Sequence, residues 1–313
     1  MKPSSNYHIP VMVQEVISGL ITDQNGVYVD ATLGGGGHSS AMLDILGPNA
    51  VVIGIDRDAE SISQVSEVLS SDTRLLINKG NFGQLDSILT ECRCNQVHGI
   101  LYDLGVSSRQ IDSPSRGFSY RLDGPLDMRM DNNLPIDATK FIANATQDEI
   151  ISVLRDYGEE RNASFIAKAL IKRRSSSTIQ TTSHLREVVE STRPKILNKT
   201  LSRVFQAIRI AINNELEQLS DSLNTSLRRL RSGGRLVTIA YHSLEDRIVK
   251  KKMANLIRDC NCPPQLPKCV CSGIAEFIKV GRGRFYPSEE EVARNSRARS
   301  ATLRIYEKRE STI

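Results

Sequence analysis

The chain has 313 residues, of which 39% are apolar and 25% charged, with a net charge of +5 at pH 7. That balance fits a globular protein of two domains, or of one domain carrying an insertion. No apolar run approaches the ~18 residues that cross a bilayer, and residues 1–10 have neither a signal-peptide core nor a transit-peptide composition, so a cytoplasmic protein with no membrane association is expected.

Four short β-branched runs open the chain: Val27–Asp30, Ala50–Ile55, Arg74–Ile77 and Val97–Leu104. Ser39–Leu46 and Ala59–Leu69, at helical spacing, separate the first three. This alternation predicts an α/β fold with a mostly parallel sheet covered on both faces. Residues 111–217 show no convincing strand. Thr146-Gln-Asp-Glu149 is a capping box that starts a helix ending near Gly158, and further helices fit 162–174 and 183–191. A long one from near Thr200 places Leu201, Val204, Phe205, Ile208, Ile212, Leu216 and Leu219 on one stripe, a core face. Gly233-Gly234 is expected to stop that run. Strand character returns at 235–241, 277–280 and 302–306. The expected organisation is a sheet domain of residues 1–110 and 218–313, interrupted by a helical insert at 111–217.

Charge and cysteine are less decisive. Residues 277–309 hold nine basic and four acidic side chains, which suits nucleic acid but equally a solvated surface. Cys260-Asn-Cys262 and Cys269-Val-Cys271 flank Pro263, Pro264 and Pro267. Four thiolates could hold zinc, but C-x-C spacing is poorer for it than C-x-x-C. A reduced loop is favoured and no metal is assigned.

The strongest local signal is Asp30-Ala-Thr-Leu-Gly34-Gly-Gly36-Gly37-His38-Ser39, which follows a strand and opens a helix. Successive glycines let a ligand approach backbone N–H groups at a helix start. Asp30 suits a cationic amino-acid moiety better than a pyrophosphate. Asp56, ending the next strand, is placed to accept ribose hydroxyls. Without Gly-Lys-Ser/Thr this is no P-loop. The pattern resembles the first two motifs of class I S-adenosylmethionine (SAM) methyltransferases, although the turn alone leaves an NAD-dependent Rossmann oxidoreductase open.

The fourth strand ends in Asp103-Leu-Gly-Val-Ser107-Ser108-Arg109-Gln110, which puts Asp103 beyond a strand's carboxyl end, where ligands of such sheets bind. A capping aspartate is the competing reading. His242 and Ser243 follow the 235–241 strand directly. They lack a nucleophile elbow and read as a substrate-side wall rather than part of a hydrolase triad. His8, His98 and His184 are assigned nothing.

Taken in order, these segments closely resemble the RsmH/MraW family of bacterial 16S rRNA cytosine-N4 methyltransferases, essentially end to end. The matching stretches include His8-Ile-Pro10-Val11, the glycine turn, Gly54-Ile-Asp56-Arg-Asp58 and Asp103-Leu-Gly-Val-Ser-Ser108. Further along come Gly117-Phe-Ser-Tyr-Arg-Leu-Asp123 through Asp131, Tyr157-Gly-Glu-Glu-Arg161, Phe205-Gln-Ala-Ile-Arg209, His242-Ser-Leu-Glu-Asp246-Arg and Arg297-Ala-Arg-Ser300. Val204, where the family usually has Thr, and Ser296, where it often has Pro, depart from the pattern.

The resemblance implies a class I methyltransferase fold with a helical inserted domain, and SAM as cofactor. It carries SAM contacts onto Gly36, Gly37, His38, Asp56, Phe82, Asp103 and Gln110, and implies a cytidine in the decoding region of 16S rRNA, in the small ribosomal subunit, as substrate. Asp103 is the candidate catalytic residue, accepting a hydrogen of the amine. His242, Ser243, Asp127, Arg173 and Arg284 are candidate substrate contacts, and Tyr120, Phe118 and the 123–131 loop form either a base-binding wall or a hinge. Arg161, Lys168, Lys172, Arg173 and Arg174 would give the insert a basic face, with Arg282 and Arg284 adding phosphate contacts. A homodimer is left open. The alternative to catalysis is an RNA-binding or ribosome-assembly factor with a SAM-like pocket.

Overall fold

The computed structural model describes residues 10–260, 262 and 274–310. His8, Pro263, Pro264, Pro267, Cys269 and Cys271 lie outside the described residues. In chain order the elements begin α1 (Val13–Leu20), β1 (Val27–Asp30), α2 (Gly37–Ile45), β2 (Val51–Asp56), α3 (Ala59–Val68), β3 (Leu75–Lys79), α4 (Leu85–Glu91) and β4 (Val97–Asp103). Then come α5 (Ser108–Asp112), α6 (Ala138–Asn144), α7 (Gln147–Asp156), α8 (Ala163–Ser176), α9 (Thr182–Ser191), α10 (Leu197–Asn213) and α11 (Glu215–Arg229). The chain continues through β5 (Leu230–Ala240), α12 (Ser243–Met253), β6 (Phe277–Lys279), α13 (Glu289–Arg294) and β7 (Thr302–Lys308).

It divides into two compact units, Met1–Gly105 with Leu216–Ile313, and Val106–Glu215. The first is built on a seven-stranded sheet in the order β3-β2-β1-β4-β5-β7-β6. The strands from β3 through β5 are parallel, and β7 runs antiparallel to both its neighbours. This is a Rossmann-like, mostly parallel α/β fold. Strand order reverses at β1, with β2 on one side and β4 on the other, so a crevice opens beyond the carboxyl ends of β1 and β4. Successive strand residues serve opposite faces. Val29, Ile53, Ile55, Ile100 and Tyr102 pack with Leu85 and Leu89 of α4, Leu219 and Leu223 of α11, and Val249 and Met253 of α12. Tyr28, Val52, Leu101 and Val237 pack with Val16 and Leu20 of α1 and with Met42 and Leu43 of α2. Burial on both faces is why these strands read as unbroken apolar runs instead of alternating.

The second unit is helical, its core built from Ile150 and Leu154, Ile166 and Leu170, Leu185 and Val189, and Leu201, Phe205 and Ile208. Phe118, Leu126, Met128 and Met130 of a long loop join that core. Asn213, at the end of α10, pins the loop by accepting the Met130 N–H and donating to the Met128 carbonyl, both at 2.8 Å.

Two boundaries differ from those expected. The long helix is two helices: Asn214 has φ 49° and ends α10, and Leu216 and Leu219 belong to α11. Gly233-Gly234 does not stop a helix but lies inside β5, where Gly233 takes φ +73°. Val97 pairs with Leu230 whereas Gly99 pairs with Arg235, so the glycines absorb a bulge on β5. Among the described residues no helix is long and apolar enough to cross a membrane.

Candidate functional site

The glycine turn leaves β1 and is tied to β2. Leu33 N–H donates to the Ile55 carbonyl at 2.9 Å, and Gly34 N–H to Asp56 Oδ2 at 2.7 Å. Gly34 and Gly36 take φ of +51° and +74°, a left-handed backbone that favours glycine. Gly36 is the N-cap of α2 and no side chain caps that helix, so its first-turn N–H groups are not taken up by a capping side chain. A Cβ on Gly37 would lie 2.9 Å from Pro10, whereas one on Gly35 would meet nothing within 4 Å. The turn is thus packed behind Gly36 and Gly37 and open at Gly35.

Asp56 accepts the Gly34 N–H on one carboxylate oxygen and the Asp58 N–H, at 2.8 Å, on the other. Each oxygen keeps lone-pair capacity for a further donor. Burial pushes its pKa up to about 6, against the two backbone hydrogen bonds that lower it. Asp30 does not play the part expected of it. Its carboxylate is buried, accepts the Ser39 hydroxyl at 2.7 Å and the Thr32 N–H at 3.3 Å, and therefore braces the turn from beneath rather than facing a ligand. Burial raises its pKa too.

Asp103 closes β4 with its side chain 20% exposed. The Tyr241 hydroxyl donates to its Oδ1 at 2.8 Å, and His38 Nε2 stands 3.4 Å from its Oδ2. Backbone N–H of Asp103 donates to the Thr32 hydroxyl at 2.6 Å. Tyr241 was missed as a functional candidate; it reaches Asp103 because β5 pairs with β4, in the register Asp103↔Ile239. Burial first, then the charge of Asp103, pushes the Tyr241 pKa well above its ordinary value, so the hydroxyl stays a donor. Burial works against the His38 imidazolium, but Asp103, Asp30 and Glu291 outweigh it and raise that pKa. Neither ring nitrogen of His38 makes a hydrogen bond among the described residues; at 3.4 Å its Nε2 pairs with the Asp103 carboxylate by charge when the ring is protonated. Phe82 follows β3 with its ring edge-on to Tyr102 at 5.9 Å, under the Arg57 guanidinium at 5.4 Å.

Gly36, Gly37, His38, Asp56 and Asp103 thus gather at the carboxyl edge of the sheet, around the strand-order reversal, with Phe82 one turn beyond β3. His242 is the N-cap of α12 in a reciprocal box with Glu245, its Nε2 3.1 Å from Glu245 Oε1. Ser243 begins that helix and is exposed. Arg284 is exposed and stacks its guanidinium 4.7 Å over the Tyr286 ring. In the second unit Gln110 caps its own helix α5, its Oε1 taking the Ser107 N–H at 3.1 Å. Asp127 is gripped bidentately by Arg129 at 2.7 and 2.8 Å, and although burial opposes it, that pairing holds its pKa below the usual value. Arg173 lies 3.6 Å from Glu187. Arg174 donates to the Ile142 and Ala145 carbonyls, both at 2.6 Å, so it caps α6 and leaves the expected basic face. Phe118 is buried and Tyr120 meets Phe205 edge-on at 5.8 Å. Among the described residues no group of three or more His, Cys, Asp or Glu is placed to hold a metal ion.

Comparison with known proteins bears on this arrangement. The chain is 43% identical over 305 residues to ribosomal RNA small subunit methyltransferase H of Halothermothrix orenii, covering 96% of this chain and 98% of that one. It is also 43% identical over 303 residues to the protein of the same name from Caldicellulosiruptor saccharolyticus, covering 96% and 99%. A solved structure of a putative rRNA methylase from Clostridium thermocellum is similar at a TM-score of 0.44 and 12% identity, over 95% of this chain and 94% of that one. The family model described as the MraW methylase family matches residues 5–309. A glycine turn at β1, acids closing β2 and β4, and a match of that length leave one assignment: the chain belongs to the MraW methylase family.

Proposed function

We propose that the protein transfers a methyl group from SAM to the exocyclic N4 amine of a cytidine in 16S rRNA of the small ribosomal subunit, in the cytoplasm. The observation that carries this is Asp103: a part-exposed carboxylate at the carboxyl end of β4, beside the strand-order reversal, held by Tyr241 at 2.8 Å. The residues around it suit SAM. Gly36 opens the uncapped start of α2, its own N–H donated to the Leu33 carbonyl, and leaves the Gly37 and His38 N–H groups for the amino-acid end; Asp56 accepts the ribose hydroxyls; Phe82 offers a ring face to the adenine. The two relatives' shared name supports ribosomal RNA as the substrate class.

SAM supplies an electrophilic methyl group when bound. Cytosine N4 is a poor nucleophile because its lone pair is delocalised into the ring, so the chain's own work is to orient the amine and exclude water. Asp103 accepts one amine hydrogen, which favours a pyramidal nitrogen with its lone pair free. The proton the amine sheds on methylation passes to the same carboxylate. Tyr241 fixes one carboxylate oxygen and His38 stands beside the other, so Asp103 is held in place as a hydrogen-bond acceptor. The target base must leave its stack to reach this edge, with His242 and Ser243 at the end of β5 as candidate neighbours.

The test is to incubate unmethylated small ribosomal subunits with SAM carrying a labelled methyl group, digest the RNA and separate the nucleosides. Label in N4-methylcytidine is expected. Label in another nucleoside would overturn the N4 assignment, and none on any particle or naked 16S rRNA would favour a non-catalytic RNA-binding factor.

A further inference from the structure

Helix α8 turns Ala163, Ile166, Ala167 and Leu170 into the core of the second unit. Its opposite side carries Phe165, which is 74% exposed, with Lys168 and Lys172 also exposed. Positions three and seven residues on from Phe165 lie on the same stripe of a helix. Single exposed apolar residues are ordinary; this one is set apart by its neighbours. From Ala163 to Ser176 the helix has four basic residues and no acid, so the ring sits in a positive field. The core does not need it, because the adjacent Ile166 fills the inward position.

We propose that this stripe is an RNA-binding platform, in which an unpaired base stacks on Phe165 while Lys168 and Lys172 hold the phosphates that flank it. The proposal rests on the ribosomal RNA reading above. Lys172 lies about 10 Å along the helix from Phe165 and Lys168 about 4.5 Å, so a base on the ring keeps its own backbone within reach of both ammonium groups. An apolar protein partner would cover the ring only by desolvating the two lysines without a counter-charge. Single-stranded RNA satisfies ring and ammonium groups together.

The experiment compares Phe165→Ala, Phe165→Trp and the double variant Lys168→Ala/Lys172→Ala with the unaltered protein. It measures affinity for unmethylated small subunits and for a 16S transcript across a salt series, with SAM affinity and melting temperature as controls. Phe165→Ala is expected to weaken RNA binding roughly tenfold or more without changing the salt slope, and Phe165→Trp to restore it. The double lysine variant should reduce the log–log salt slope by about 0.7 per lysine. Unchanged RNA affinity in Phe165→Ala, beside an unaltered protein that binds and methylates, would overturn the platform and leave the substrate class standing. A loss of affinity tracking a fall in melting temperature would overturn it as well. If the unaltered protein neither binds nor methylates either RNA, the ribosomal RNA reading falls and takes the platform with it.

Discussion

Asp103 is held by groups from distant parts of the chain: Tyr241, 138 residues on, at Oδ1, and His38, at the start of α2, near Oδ2. A hydrogen bond to a charged group contributes about 1.5–3 kcal/mol. Tyr241→Phe should therefore lower the rate of methyl transfer about ten- to a hundredfold while SAM affinity is retained, as measured by single-turnover kinetics and calorimetry; an unchanged rate would remove Tyr241 from the site. Asp56 gives a pH signature. Its folded pKa, about 6, lies above the ordinary 3.8, so its contribution to stability is present below about pH 4 and lost as the pH rises through about 6. Ribose hydroxyls are best accepted by the ionised form. SAM affinity should consequently rise with pH through about 6, and Asp56→Asn should weaken binding and flatten that rise in titration calorimetry from pH 5 to 8. That Asp56 and Asp103 close strands was legible in the sequence because the ends of apolar runs are readable. Tyr241 was not, since nothing in a linear chain says that β5 lies beside β4. Asp30 was expected to suit a cationic moiety; only the folded turn shows its carboxylate buried beneath Ser39 and Thr32.

Backbone geometry decides what the glycine-rich elements tolerate. Gly117 takes φ +72°, and a Cβ there would lie 2.3 Å from the Pro125 carbonyl and 2.7 Å from the Asp127 N–H. Gly117→Ala should destabilise the protein by more than about 2 kcal/mol in urea unfolding, through left-handed strain and a backbone clash. Gly35→Ala, whose Cβ would meet nothing within 4 Å, should change stability by less than about 1 kcal/mol. Both outcomes follow from position, not from glycine content. The capping box at Thr146 was legible because its two partners are three residues apart, and Thr146 and Glu149 do satisfy each other's backbone. The break at Asn214 was not, because the apolar stripe continues across it and a single left-handed residue leaves no mark on periodicity. His242 was read only as a candidate substrate neighbour; that its ring also caps α12 with Glu245 was not legible in the chain.

At the scale of the whole molecule, strand and helix alternation in the first hundred residues was enough to predict a mostly parallel α/β sheet. The order β3-β2-β1-β4-β5-β7-β6 and the reversed β7 were beyond it, since an apolar run says that a strand is buried but not which strand it pairs with. The positive charge spread over residues 277–309 and over α8 is what a polyanionic substrate requires, and only contacts separate the residues available for that from those already used: Arg284 is exposed, whereas Arg174 is spent on carbonyls of α6. That Asp103 is the acceptor for the transferring amine is the proposal on which the chemistry depends. It is tested most directly by running Asp103→Asn and Asp103→Ala beside the unaltered protein in methyl transfer to unmethylated small subunits, with SAM binding measured in parallel. Turnover at least about a hundredfold lower in both variants, with SAM still bound by Asp103→Asn, is the predicted result; near-normal turnover of Asp103→Asn would contradict it.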